Sequence, residues 1–504
     1  MGKKILAFLL VPFLLFYAFP ASADKKEERV WEEEIVYSLM IDKFNNGDPA
    51  NDRVHEADEA GFEGGDFKGI TAKLDYLQEM GFTTILLSPI FQNDSGGFHG
   101  EAVTDFYKTE EHFGSAEDLK KLVEEAHRRK MKVMLEFPVD RVAEDHPWNA
   151  NPETKDWIKA GADNGGSEWN KGLPVINLEN EEVRAYLIEA AKWWMDETQV
   201  DGFSLQYLDN VPPDFIKAFT SEVKSFKKGS YLIGTVNEGS RKELAELEAA
   251  GLDGIKDIHL NKPMRDAFSK IDASSSKLLD IWKENVSAYD QPSLFPAYLD
   301  DKNTVRYTRD MVDQKQFPGS RWKLALFYLY TQPQVPIVFY GSEIAVNGGG
   351  PPDNVPLMSF WAKEELIEFI GRLAEIRSQH PALIHGTMEL LYEKDGMLVF
   401  KREYQDDTIV VAINNTSEDQ TAVIEAADLQ DGKELRGLYG TDMVRSENGE
   451  YKIIVDREMT EIYDLVDKSS YNIPFIIALF AVFGFFIVFM YAAWKRGKKQ
   501  NMLP

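Results

Sequence analysis

The chain has 504 residues, 44% of them apolar, with 56 basic side chains against 84 acidic ones and no cysteine. That apolar content supports a packed core and excludes a disordered chain. The formal charge of −28 excludes nucleic acid as a partner, because phosphate binding needs a basic surface, and the lack of cysteine excludes disulfides and thiolate metal sites.

In chain order, Lys3 and Lys4 precede the apolar run ILAFLLVPFLLFYAF and then ASA. A charged start, an apolar stretch and a small-residue cleavage site read as a secretory signal peptide over 1–23, with an uncleaved anchor as the alternative. From residue 35 to about 346, strand and helix patterns alternate. EIVYSLMI, TTILLSPIF, KVMLEFPV, VDGFSLQYL, YLIGTVN, SLFPAYLD and QVPIVFYG read as strands. ITAKLDYLQEMG, SAEDLKKLVEEAHRRKM, EEVRAYLIEAAKWWMDE, PPDFIKAFTSEVKSF and SRWKLALFYLYTQ read as amphipathic or buried helices. Near-continuous apolar strands separated by helices predict a parallel sheet covered by helices. Some eight such units in about 300 residues fit a (β/α)8 TIM barrel within 24–385. The polar stretch at about 140–180 reads as a short excursion domain after strand 3.

After residue 386 the period becomes two. MELLYEKDGMLVFKREYQDDTIVVAINNTSE and YKIIVDREMTEIYDL predict a C-terminal antiparallel β-sandwich over 386–466. A linker at 467–472 leads to IPFIIALFAVFGFFIVFMYAAW and then KRGKK. These 22 apolar residues, at ~1.5 Å each, reach roughly 33 Å as a helix. They predict a transmembrane helix over 473–494 with a cytoplasmic tail at 495–504, the basic flank staying inside. The expected localisation is single-pass in the cell membrane, with the large domain extracytoplasmic.

Several segments, in order, resemble the α-amylase family, glycoside hydrolase family 13: IVYSLMIDKFNNGDPAND, GGDFKGITAKLDYLQEMGFTTILLSPIF, LPVINLENEEVRAYLIEAAKWWMDETQVDGF and VPIVFYGSEI. The resemblance covers about 33–466. It implies cleavage of α-glucosidic bonds with retention, which needs a carboxylate nucleophile and a carboxylic acid/base ~5–5.5 Å apart. This sequence departs from the family at each of those positions. The fourth-strand motif Gly-x-Arg-x-Asp reads Gly202-Phe203-Ser204-Leu205-Gln206, so the nucleophile is Gln206. The fifth-strand Gly-Glu reads Gly234-Thr235, which puts Thr235 in place of the acid/base. The seventh-strand Asn-His-Asp-x-x-Arg reads Asp301-Lys302-Asn303-Thr304-Val305-Arg306, with Asn303 for the third carboxylate and Arg306 kept. The third-strand Asp-x-Val-x-Asn-His reads Glu136-Phe137-Pro138-Val139-Asp140-Arg141, and His-Gly-Tyr-Asp reads His99-Gly100-Glu101-Ala102.

An amide offers no anion for a glycosyl intermediate, and a threonine hydroxyl is no proton donor near neutral pH. The expectation is therefore a barrel without catalytic residues. His99 and Arg306 remain as substrate-binding candidates, and the partner is an α-glucan or a membrane protein. The alternative is an active hydrolase or transferase with relocated carboxylates, drawn from Glu136, Asp140, Asp209, Glu238, Asp300 and Asp301. Trp148, Trp157, Trp169 and Phe98 could stack on sugars, or pack the excursion. The loop NNGDPAND with GGD resembles the calcium loop of cyclodextrin-glucanotransferase-like members. It implies a structural Ca2+ on Asn46, Asp48, Asn51, Asp52, the Gly64 carbonyl and Asp66, an all-oxygen set suited to that ion. Taken alone, the loop reads as a solvated turn.

Overall fold

The computed structural model describes residues 29–51, 61–94, 96–160, 166–361, 365–394, 396–468 and 473–500. The expected signal peptide and most of the linker lie outside them.

Eight parallel strands form one sheet: β1 Val36–Leu39, β2 Thr84–Leu87, β3 Lys132–Pro138, β4 Gly202–Gln206, β5 Tyr231–Gly234, β6 Gly254–Ile255, β7 Ala297–Tyr298 and β8 Pro336–Phe339. Their order is β6-β5-β4-β3-β2-β1-β8-β7. The Asp257 N–H donates to the Pro296 carbonyl at 2.9 Å across the seam between β6 and β7, so the sheet curls into the expected barrel.

Alternate residues of each strand face opposite sides. Val36, Leu86, Met134, Ile233, Tyr298 and Ile337 form one core, which fills the barrel interior. Tyr37, Ile85, Leu135 and Phe203 join the larger core beneath the helices. The same parity carries Glu136, Ser204, Gln206 and Thr235 onto the inner face, at the C-terminal ends of β3, β4 and β5. TIM-barrel active sites are built at that end.

Two differences from the sequence reading are local. TTILLSPIF splits into β2 and a second short strand, Phe91–Asn93, which pairs antiparallel with Val103–Thr109. β6 has two residues, too few to carry a period. The helix Ala116–Arg128 opens on the Ser115–Asp118 capping box its sequence implies.

The C-terminal domain has eight strands: β9 Thr387–Lys394, β10 Met397–Tyr404, β11 Asp407–Asn414, β12 Gln420–Glu425, β13 Lys433–Gly437, β14 Met443–Arg445, β15 Glu450–Val455 and β16 Thr460–Asp467. Six of them pair in the order β9-β10-β11-β16-β13-β14, and β12 pairs with β15. Leu398, Phe400, Ile409, Val411 and Ile413 pack into the barrel's outer core. Their neighbours Met397, Val399, Val410 and Ala412 face a second core shared with Ile424, Tyr451 and Ile453. The large sheet is therefore buried on both faces, which fixes its register.

Residues 473–500 form a helix. Its described side chains are Ile477 and those of 479–495; Phe480 and Phe485 among them are exposed. Among the described residues, no helix is long and apolar enough to cross a membrane. The expected transmembrane span, and with it the single-pass membrane localisation, therefore finds no support among the described residues.

Candidate active site

The three positions read from the sequence as those of the family's carboxylates lie together. Gln206 ends β4, Thr235 follows β5, and Asn303 lies in the turn after β7. Gln206 and Thr235 are buried. The Thr235 hydroxyl donates to Gln206 Oε1 at 3.3 Å. The Gln206 amide folds back and donates to the Ser204 carbonyl and to Ser204 Oγ, each at 2.9 Å. The Tyr207 backbone, held in the left-handed region at φ 56°, donates from its N–H to Thr235 Oγ1 at 3.0 Å. Its hydroxyl lies 3.3 Å from both Glu101 Oε1 and Asn303 Oδ1. The side chains at these three positions are uncharged, and each is hydrogen-bonded to a neighbour.

Charge enters beside them. The Lys302 ammonium donates to Glu101 and to Glu136, and all three side chains are at most 4% exposed. Burial opposes its charge, but the two carboxylates outweigh burial and hold the ammonium well above its usual range. Trp169, from the excursion domain, reaches this group through the Lys302 backbone. Its Nε1 donates to the Lys302 carbonyl at 3.0 Å, and its ring sits 5.3 Å from that of His99. His99 Nδ1 accepts from the Glu101 N–H at 3.1 Å. Burial, then the Lys302 charge, pushes the imidazole down to about 3, so it is neutral.

The sequence reading passed over Lys302, Glu101 and Tyr207 as site residues, and it named Trp169 only as a ring that could stack on a sugar or pack the excursion. A signal was available, since a base replaces the motif's histidine where an acid, Glu101, replaces its tyrosine.

The expected substrate-binding Arg306 needs correction. It is fully buried and donates to the Asn354 and Tyr340 carbonyls at 2.5 and 2.9 Å. Its Nε and Nη1 donors tie the loop after β8 to the barrel. Asp300 is likewise internal, accepting from the Tyr307 N–H at 2.7 Å and lying 3.6 Å from Arg306. Asp301 caps its own turn through the Asn303 and Thr304 N–H groups. Asp209 is exposed and accepts from the N–H groups of Asn237 and Glu238 at 2.9 and 3.0 Å. Asp140 differs from these. Burial, then the Glu101 carboxylate, pushes it up to about 8, so it holds a proton at neutral pH. Trp148 and Trp157 pack edge to face at 5.0 Å within the excursion, the packing role weighed from sequence. Phe98 is buried against Trp169.

The described part of the calcium set does not fit that ion. Asp66 caps the helix Phe67–Ala72, with Oδ1 accepting from Gly69 N–H and Oδ2 from the N–H groups of Gly47 and Asp48. Asp48 Oδ1 accepts from Ala50 N–H, and Oδ2 holds the Lys68 ammonium. Each oxygen of these two carboxylates accepts from an N–H donor, and Asp48 Oδ2 holds the full positive charge of Lys68, which competes with a cation there. Asp52 lies outside the described residues.

Comparison with known proteins agrees with the fold. The family described as alpha amylase, catalytic domain, matches residues 38–165, and the alpha-amylase C-terminal domain matches 386–463. An α-amylase from Geobacillus thermoleovorans, solved in complex with acarbose, is 44% identical with a TM-score of 0.84. The match covers 88% of this chain and all of that one. An α-amylase from Anoxybacillus is 45% identical with a TM-score of 0.85, at the same coverage. The β/α-amylase of Paenibacillus polymyxa is 29% identical over 462 residues, which are 86% of this chain but 38% of that relative's length. With a relative this similar matched from end to end, on a barrel and β domain of the same architecture, the chain belongs to the α-amylase family, glycoside hydrolase family 13.

Proposed function

We propose that this member of the family does not cleave glycosidic bonds and serves as a binding scaffold built on the amylase barrel. The carrying observation is the hydrogen bond from Thr235 to Gln206. Retention requires two carboxyl groups ~5–5.5 Å apart on either side of the scissile bond, and here two neutral side chains bond to each other instead. The test is reducing-end release from soluble starch and maltoheptaose by the purified chain. No release above the blank is the expected result.

A second reading, cleavage by relocated carboxylates, draws on Asp140, whose raised pKa suits a general acid. Its natural base would be Glu136 on the strand that precedes it, but Lys302 holds that carboxylate. Release that is abolished by Asp140→Asn, Asp209→Asn or Glu238→Gln would establish this second reading in place of the first.

A further inference from the structure

The groups a sugar would have to reach lie under the surface. Glu101, Glu136, Gln206, Thr235, Lys302 and Tyr207 are all buried. Lys302 comes from the turn after β7, Glu136 from inside β3, and Glu101 from the turn before Val103–Thr109. One ammonium thus joins three separate segments over the barrel mouth. The Trp169 indole then couples a fourth, the excursion domain, to the Lys302 backbone and to His99.

We infer that the cleft is closed from within: the Glu101–Lys302–Glu136 bridge and the Trp169 indole occupy the place of a bound α-glucan, and this mouth takes no neutral oligosaccharide. The inference rests on the non-cleaving reading and narrows it, by removing the ancestral cleft from the surfaces on which the scaffold binds. The physical reason is the cost of opening. A sugar hydroxyl carries no charge, so it cannot replace either partner of the bridge. Separating the bridge leaves buried charges uncompensated, which costs more than stacking on one indole returns. Lys302 is thereby a residue that sets ligand exclusion.

The experiment is calorimetric titration of maltoheptaose into the full chain and into a variant carrying Glu101→Tyr, Glu136→Asp and Lys302→His. These exchanges return the three positions to the residues of the family motifs and leave Gln206, Thr235 and Asn303 neutral. The expected result is no saturable binding by the native chain, and binding by the variant at least about tenfold tighter, a difference of ~1.4 kcal/mol, with no reducing ends released by either. A Glu101→Gln, Lys302→His pair, checked by circular dichroism, serves if the triple variant does not fold; the same gain is expected of it. Saturable binding by the native chain that Trp169→Ala abolishes would overturn the inference, and without hydrolysis it would leave the non-cleaving reading standing. A folded variant that gains no binding would also overturn it.

Discussion

The barrel mouth and the junction between barrel and β domain both bury cations, and they do so differently. At the mouth, Lys302 faces two carboxylates and stays charged against the pull of burial. At the junction, Arg402 donates to the carbonyls of Thr387, Thr331 and Gly386 at 2.9, 2.5 and 3.1 Å. Arg377 beside it donates to those of Tyr330, Gln332, Leu383 and Gln334. Carbonyls carry only partial charge, so here burial prevails. It pushes Arg377 down to about 10, and burial with the neighbouring Arg377 pushes Arg402 well below its ordinary value. The arginine fork suits several carbonyls at once, whereas the compact ammonium suits a point between two anions. The junction is a hydrogen-bonded staple that a structural role explains. The mouth is an ionic lock, assembled where the family has its chemistry.

The largest effect that would sharpen this contrast comes from Lys302→Met. It leaves two carboxylates buried side by side without a counter-charge, and urea unfolding should show a loss of about 3–5 kcal/mol. A loss below about 1 kcal/mol, the range of an exposed pair, would break the comparison. Arg402→Leu should cost less, about 2–3 kcal/mol, because it strands neutral carbonyls. Adding Glu136→Gln should recover part of the first loss and none of the second.

Asp140 gives a smaller, pH-dependent effect. Its folded pKa of about 8 lies above its ordinary value, so its contribution is fully present below pH ~4 and is lost as pH rises through ~8. Asp140→Asn stays neutral throughout. The two chains should match near pH 4, and the variant should become the more stable towards pH 8, by up to about 1.4 kcal/mol for each unit by which the carboxyl is raised, as read from urea melts across that range. The smallest expected effect is that of metal removal. With the oxygens of Asp48 and Asp66 occupied by N–H donors, EDTA and added calcium should leave the thermal midpoint unchanged. A midpoint that falls on chelation would restore the calcium loop.

Local pattern was enough for much of this molecule. The period of two in MLVFKREY and DTIVVAIN announced a sheet, and the sheet proved to be buried on both faces. The alternation of β4 put Ser204 and Gln206 on one side, where the amide now bonds the serine. The neutral residues at 206, 235 and 303 were legible because each falls within a short motif. The sequence misjudged Arg306, since nothing local distinguishes a buried arginine that holds carbonyls from one that faces a ligand. The apolar run at 473–494 likewise read as a membrane span, and no helix among the described residues meets that requirement.

What the sequence by itself determined is therefore the barrel, the β domain and the identity of the residues at the motif positions, since strand period, helix period and single-motif identity are local properties. Only the tertiary structure decided where the charges go. Glu101, Glu136 and Lys302 are far apart in the chain, and their pairing depends on three strand ends converging at one barrel mouth. A buried ammonium keeps its charge only where the fold brings anions to it, and no local stretch of sequence contains that geometry.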